Sequence, residues 1–157
     1  MSKPEGFYLP EYVFRGTCLG YLGSASSRSV PYTCTTRNPV KAVLFAKHCK
    51  LHYYHNPVIY ICKTKNLAHL PLLFASRRMD EVEEAITFKL TPTDFYSYCI
   101  GYLTLNDMME IFKSLDISVT ASVNLHNLTE KCEQSVVVES NVIEIIVAQM
   151  INLMKKS

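Results

Sequence analysis

The sequence predicts an α+β fold, and three observations carry the prediction. Short runs of β-branched and aromatic residues, which favour strands, fill the first two-thirds of the 157 residues. Apolar residues at helical spacing behind polar cap residues take over after about residue 105. No internal repeat or low-complexity linker divides the chain, so it reads as one domain, 1–157, with a strand-rich core over 1–105 and a mainly helical segment over 106–157.

The elements follow in order. Tyr12 to Gly16 reads as a strand ended by its glycine, and the glycine- and serine-rich stretch from Leu19 to Val30 as an irregular loop. Tyr32 to Thr36 is a second strand. Asn38-Pro39 then starts a short helix, with Asn as N-cap, Pro in the first turn and Val40, Val43 and Leu44 at helical spacing, closing on Phe45-Ala46. Polar and aromatic residues from Lys47 to Asn56 predict a loop. Val58 to Cys62 is a buried strand, and Asn66 to Met79, broken by Pro71, a long loop. Alternation from Glu81 to Leu90 predicts a strand, and Phe95 to Leu103 another. Asn106-Asp107 caps a helix through Leu115, Ser135 to Glu139 is a short strand, and Asn141 to Met154 is an amphipathic helix with apolar positions 142, 145, 146, 150, 153 and 154.

Composition narrows the function. With 48% hydrophobic and 19% charged residues the chain is globular rather than disordered. A net charge of +2 without a block of like charge argues against a nucleic-acid surface. The stretch from Val142 to Met154 is interrupted by Glu144, Gln149 and Asn152 and falls short of a membrane span. The start of the chain lacks the apolar core of a signal peptide. A soluble protein is expected, cytoplasmic or acting as an effector in a host cytoplasm. Six scattered cysteines without a Cys-x-x-Cys pair suit reduced thiols. His48, Cys49, His52 and His55 carry spacings that raise zinc, but no second Cys/His pair completes a site, so no metal is expected.

Three features carry chemistry. Arg15 sits at a strand end and offers a planar donor fork suited to a diphosphate. Cys34-Thr35-Thr36-Arg37-Asn38-Pro39 leads from a strand into a helix. Asp80-Glu81-Val82-Glu83 heads a strand on which Glu81 and Glu83 share a face. Cleaving an N-glycosidic bond develops positive charge on the ribose, which one carboxylate stabilises while a second orients the nucleophile.

In this order, the arginine, the Cys-Thr-Thr strand and the Glu-x-Glu resemble the R-S-E class of mono-ADP-ribosyltransferases, over roughly Tyr12 to Tyr102. The resemblance implies a split β-sheet with an NAD cleft between its halves, and transfer of ADP-ribose from NAD to a protein side chain. It assigns the catalytic carboxylate to Glu83, with Glu84 the alternative one residue on, and the acceptor-side carboxylate to Glu81, which favours arginine as acceptor. It makes Arg15 the NAD-phosphate ligand and gives Cys34, Thr35 and Thr36 the positions that brace the cleft. Lys47 to Asn56 becomes a phosphate and nicotinamide loop with Tyr53 or Tyr54 as stacking ring, and Leu70 to Met79 faces the acceptor protein. Cys34 departs from the class, which has serine there. NAD glycohydrolase, with water as acceptor, and a catalytically inactive protein-binding module are the rival readings. Oligomeric state is not legible.

Overall fold

A computed structural model of the chain describes residues 9–19, 33–53, 56–70, 72–75, 85–117 and 140–156; for 48–53, 72–75, 85, 140 and 156 the description is of backbone alone. The architecture is α+β. Its strands are β1 (Tyr12–Cys18), β2 (Thr33–Thr36), β3 (Pro57–Lys63), β4 (Leu72–Ala75), β5 (Ala85–Phe88) and β6 (Gly101–Thr104). They form one sheet in the order β4-β5-β2-β1-β3-β6, every neighbouring pair antiparallel. The helices are α1 (Pro39–Tyr53), α2 (Pro92–Tyr98), α3 (Leu105–Ser114) and α4 (Ser140–Lys156), with a 3₁₀ turn at Thr64–Leu67.

Alternation along β1 divides the core in two. Phe14 faces a large cluster with Val40, Ala42, Val43 and Ala46 of α1, Ile59 and Ile61 of β3, and the apolar faces of α3 and α4. Val13 faces a smaller one with Cys62, Leu67, Ile86, Phe88, Leu90 and Phe95. Side chains on a strand alternate between faces, so adjacent residues enter opposite clusters.

Gly16 shows how closely the larger side is packed. A Cβ on Gly16 would collide with the carbonyl oxygen of Ala42 and lie 2.9 Å from the Ala46 nitrogen. Only glycine lets the backbones of β1 and α1 approach so closely. The strand passes through Gly16 to Cys18 instead of ending there.

The start of α1 is as the sequence predicts. The Asn38 side-chain oxygen accepts from the Val40 N–H at 2.9 Å, and Pro39 occupies the first turn. Its end is not. The helix continues to Tyr53, so most of the expected Lys47–Asn56 loop is helical. Those residues include good helix formers and no breaker before Asn56-Pro57, and polarity alone does not stop a helix.

Two further expectations are corrected. Phe95 to Leu103 is not a strand: α2 runs to Tyr98 and β6 begins at Gly101. The signal lay four residues upstream of Phe95, where the Thr91 hydroxyl accepts from the Asp94 N–H at 3.2 Å and Pro92 opens the helix. The expected long loop over 66–79 contains β4, which pairs with β5.

The tail keeps its helices. α3 is capped by Thr104, whose hydroxyl accepts from the Asp107 N–H at 3.1 Å, so the cap precedes the expected Asn106-Asp107. It buries Leu105, Met108, Ile111 and Phe112, and the chain turns at Asp116 with φ 58°, a left-handed conformation that Asp tolerates. In α4 the buried residues are Ile146, Val147 and Met150, while Ile145 is exposed. The expected strand over 135–139 lies outside the described residues.

Candidate functional site

Arg15 sits in the middle of β1, and the register sets its neighbours. On β3 it stands opposite Tyr60, which in turn stands opposite Tyr102 on β6. Its guanidinium is held at two points. Nε donates to the Tyr96 hydroxyl at 3.2 Å, and Nη1 donates to the Cys34 carbonyl at 3.0 Å. Tyr96, on α2, stacks on the Tyr60 ring with centroids 4.1 Å apart and planes 17° from parallel. Tyr102 completes this aromatic wall, tilted against Tyr60 with centroids 5.2 Å apart. Arg15 therefore spans from an aromatic stack on the β3 side to the main chain of β2.

Burial pushes the Tyr60 phenol up to about 12, with the neighbouring Tyr96 and Tyr102 phenols adding to the rise. The Cys62 and Cys99 thiols share a hydrogen bond. That bond pushes Cys62 down from the usual thiol range and Cys99 well above it, and burial adds to the rise at Cys99. The Cys62 proton points to the Tyr98 carbonyl at 3.4 Å, and the Phe95 carbonyl, 3.3 Å from Cys99 Sγ, is the alternative acceptor for the single Cys99 proton. Cys18, Cys34, Cys62 and Cys99 are free thiols.

The second sequence feature lies on β2. Cys34 is exposed, and its sulfur accepts from the Thr87 hydroxyl at 3.5 Å. Thr35 is buried and donates to the Ile86 carbonyl at 2.8 Å, so its hydroxyl fastens β2 to β5. Thr33 does the same at the other end of the strand, donating to the Leu90 carbonyl at 2.9 Å. The Thr36 hydroxyl accepts from the Asn38 N–H at 3.1 Å and shapes the turn into α1. Here β-branched residues serve as strand formers and braces at once.

Of the sequence candidates, Arg15 and Cys34 are thus in direct contact, with Thr35 and Thr36 on the same strand as Cys34. Tyr53 is the last residue of α1. Tyr54, Glu81, Glu83 and the alternative Glu84 lie outside the described residues. β5 pairs with β2 on the side away from β1, with Cys34 opposite Thr87 and Thr36 opposite Ala85. Tyr60 and Tyr96 were not singled out by sequence. Tyr60 looked like one more core-strand residue, and Tyr96 lies in the segment misread as strand. Only the strand register and the fold of α2 bring them to Arg15.

A cavity of about 500 Å³ opens elsewhere, against the start of α2, lined by Lys89, Thr91, Asp94 and Tyr98 among others. None of the residues around Arg15 lines it, so volume and chemistry point to different places, and the hydrogen-bonded cluster is the better guide. Among the described residues no group of three or more His, Cys, Asp or Glu side chains is placed to hold a metal, and no helix is long and apolar enough to cross a membrane. Of the zinc alternatives, His48, Cys49 and His52 fall within α1. Comparison of the chain with protein-family models, curated proteins and solved structures gave no match.

Proposed function

We propose that the chain is a mono-ADP-ribosyltransferase of the R-S-E type, cleaving NAD and passing ADP-ribose to a protein side chain, arginine by preference. The observation that carries this reading is the strand order β5-β2-β1. It sets the Arg15 strand beside the Cys34-Thr35-Thr36 strand, and that strand beside the one beginning two residues after Glu83. Two motifs far apart in sequence thus lie on adjacent strands, and the third directly precedes the next strand in sequence, an order that supports a single cleft.

The narrow junction supports the split-sheet form of the proposal. Among the described residues β1 and β2 share one register pair, Phe14 with Thr36, and in this reading that junction marks where the one sheet divides into β4-β5-β2 and β1-β3-β6. In the proposed reaction the Arg15 guanidinium neutralises the NAD diphosphate. Glu83 stabilises the ribosyl cation as the bond to nicotinamide breaks, and Glu81 orients the acceptor nitrogen and takes its proton. Thr35 and Thr36 act indirectly, by fastening β2 to β5 and to α1.

The test is radiolabelled NAD with agmatine or a cell lysate, for wild type, Glu83→Gln and Glu84→Gln. The reading expects label on acceptor with wild type and at least about a hundredfold loss in Glu83→Gln, the scale of removing one stabilising group. Loss confined to Glu84→Gln moves the catalytic carboxylate by one residue. Label found only as free ADP-ribose identifies a glycohydrolase. Absence of both NAD cleavage and NAD binding in wild type leaves the inactive binding module.

A further inference from the structure

The geometry points to Tyr96 as the positioning residue for Arg15, the group that sets the guanidinium plane for a dinucleotide diphosphate; this rests on the NAD-cleaving reading above. A guanidinium on a long side chain has many rotamers, and a diphosphate is gripped well only when the planar fork is already oriented. Here two hydrogen bonds, at the Nε and Nη1 ends, fix that plane. One partner, the Cys34 carbonyl, is main chain and tolerates any side chain at position 34. The other is a single hydroxyl, Tyr96 Oη, which accepts from Nε.

Tyr96 is itself well held. Its ring stacks on Tyr60, and Tyr60 sits directly across the ladder from Arg15. The arginine, its strand neighbour and the helix residue thus form a closed triangle of strand pairing, ring stacking and hydrogen bond. Phe95 beside Tyr96 is buried and meets its ring edge-on at 5.9 Å, which anchors this turn of α2 in the smaller cluster. Loss of the hydroxyl leaves the ring, the stack and the helix in place and frees only the guanidinium. An interaction that fixes the ligand grip without touching the reacting bond affects binding more than turnover.

The experiment compares wild type, Tyr96→Phe and Tyr98→Phe, the last removing a hydroxyl from an exposed ring on the same helix. For each, NAD cleavage gives KM and kcat, and the Arg15 Nε–H proton resonance reports whether that hydrogen bond persists. Tyr96→Phe is expected to raise KM for NAD about five- to tenfold, the loss of one charge-assisted hydrogen bond, with kcat within about twofold. Its Nε–H signal exchanges faster with solvent, and Tyr98→Phe matches wild type in both readouts. If wild type cleaves NAD and Tyr96→Phe keeps the same KM, the positioning role is wrong while the NAD reading stands. If wild type neither binds nor cleaves NAD yet the Nε–H signal is protected and depends on Tyr96, the NAD reading fails. The hydrogen bond is then packing, and the positioning role fails with it.

Discussion

The two edges of β1 are built by different means. Toward β3 the strand is paired along its whole length, from Tyr12 opposite Lys63 to Cys18 opposite Pro57. Toward β2 the ladder has shrunk, among the described residues, to Phe14 opposite Thr36, and a side chain crosses the junction instead, Arg15 to the Cys34 carbonyl. β2 in turn is fastened on its far side, by its ladder to β5 and by the Thr33 and Thr35 hydroxyls. Among the described residues β1 is thus paired more extensively with β3, and β2 with β5, than β1 and β2 are with each other. A full ladder makes a rigid support, whereas a junction held largely by a side chain has fewer cross-strand pairs to keep it closed. Arg15 and the Cys34-Thr35-Thr36 strand stand on either side of the second kind of edge.

The largest effect expected from this contrast is at Gly16, on the rigid side. In Gly16→Ala the new methyl meets the Ala42 carbonyl, and the obstacle is helix backbone, which cannot rotate aside. Forced overpacking commonly costs about 1–3 kcal/mol, and a clash with backbone on both the Ala42 and Ala46 sides belongs at or above the top of that range. Urea unfolding followed by far-UV circular dichroism checks it. A midpoint equal to wild type would mean that β1 and α1 are not locked together, and the rigid half of the comparison would fall.

The other half is sharpened by Thr35→Val. The substitution preserves shape and β propensity but leaves the buried Ile86 carbonyl without the hydroxyl that satisfies it. A cost of about 1–2 kcal/mol is expected in the same urea titration. Hydrogen exchange should show faster opening of β2 and β5 with β1 and β3 unchanged. Equal acceleration in all four strands would show that the sheet opens as one unit, contrary to the two-part reading.

A smaller effect tests the periphery of the rigid half. Thr104 ends β6 and caps α3, and Thr104→Ala removes the acceptor for the Asp107 N–H. A loss of about 1 kcal/mol is expected, shown as a shift in thermal midpoint, with Thr104→Ser or Thr104→Asp restoring most of it because each keeps a capping oxygen. Failure of both to rescue would show that the Thr104 methyl, not its oxygen, matters to α3.

What the sequence made legible follows from the range of the interactions involved. Local chemistry was readable: Asn38-Pro39 opens α1, Val58 to Cys62 lies in β3, and the tail helices appear near their expected places, because caps and periodicity act within a few residues. Errors arose where a local pattern had two solutions. The aromatic run after Thr91 suits a strand by propensity, but the Thr91-Pro92 cap makes its first part a helix. The polar residues after Ala46 suit a loop or an exposed helix turn, and nothing before Asn56-Pro57 breaks the helix. The neighbours of Arg15 were beyond reach for another reason. Tyr60 and Tyr96 are 45 and 81 residues away along the chain, and strand register is set by the packing of both sheet faces, which no short window contains. Separation along the chain likewise hid the meeting of Cys62 and Cys99.

The smallest effect is a pH dependence at the aromatic wall. Tyr60 has its phenol raised from 10.0 to about 12, chiefly by burial, so the folded state holds this proton where the unfolded chain has released it. Between about pH 10 and 12 the folded state therefore binds more protons than the unfolded one, and stability falls as pH rises. The contribution is fully present below pH 10. Tyr60 is only half-buried, so solvent screening keeps the effect modest. Spectrophotometric titration of phenolate absorbance should show a late component near pH 12 in wild type that vanishes in Tyr60→Phe. Tyr60→Phe should also flatten the fall in urea midpoint above pH 10 while leaving the midpoint at pH 7 nearly unchanged, since the ring and its stack on Tyr96 remain. A late component that survives in Tyr60→Phe would locate the shifted phenol elsewhere, and the stack beside Arg15 would then be more open to water than its burial implies.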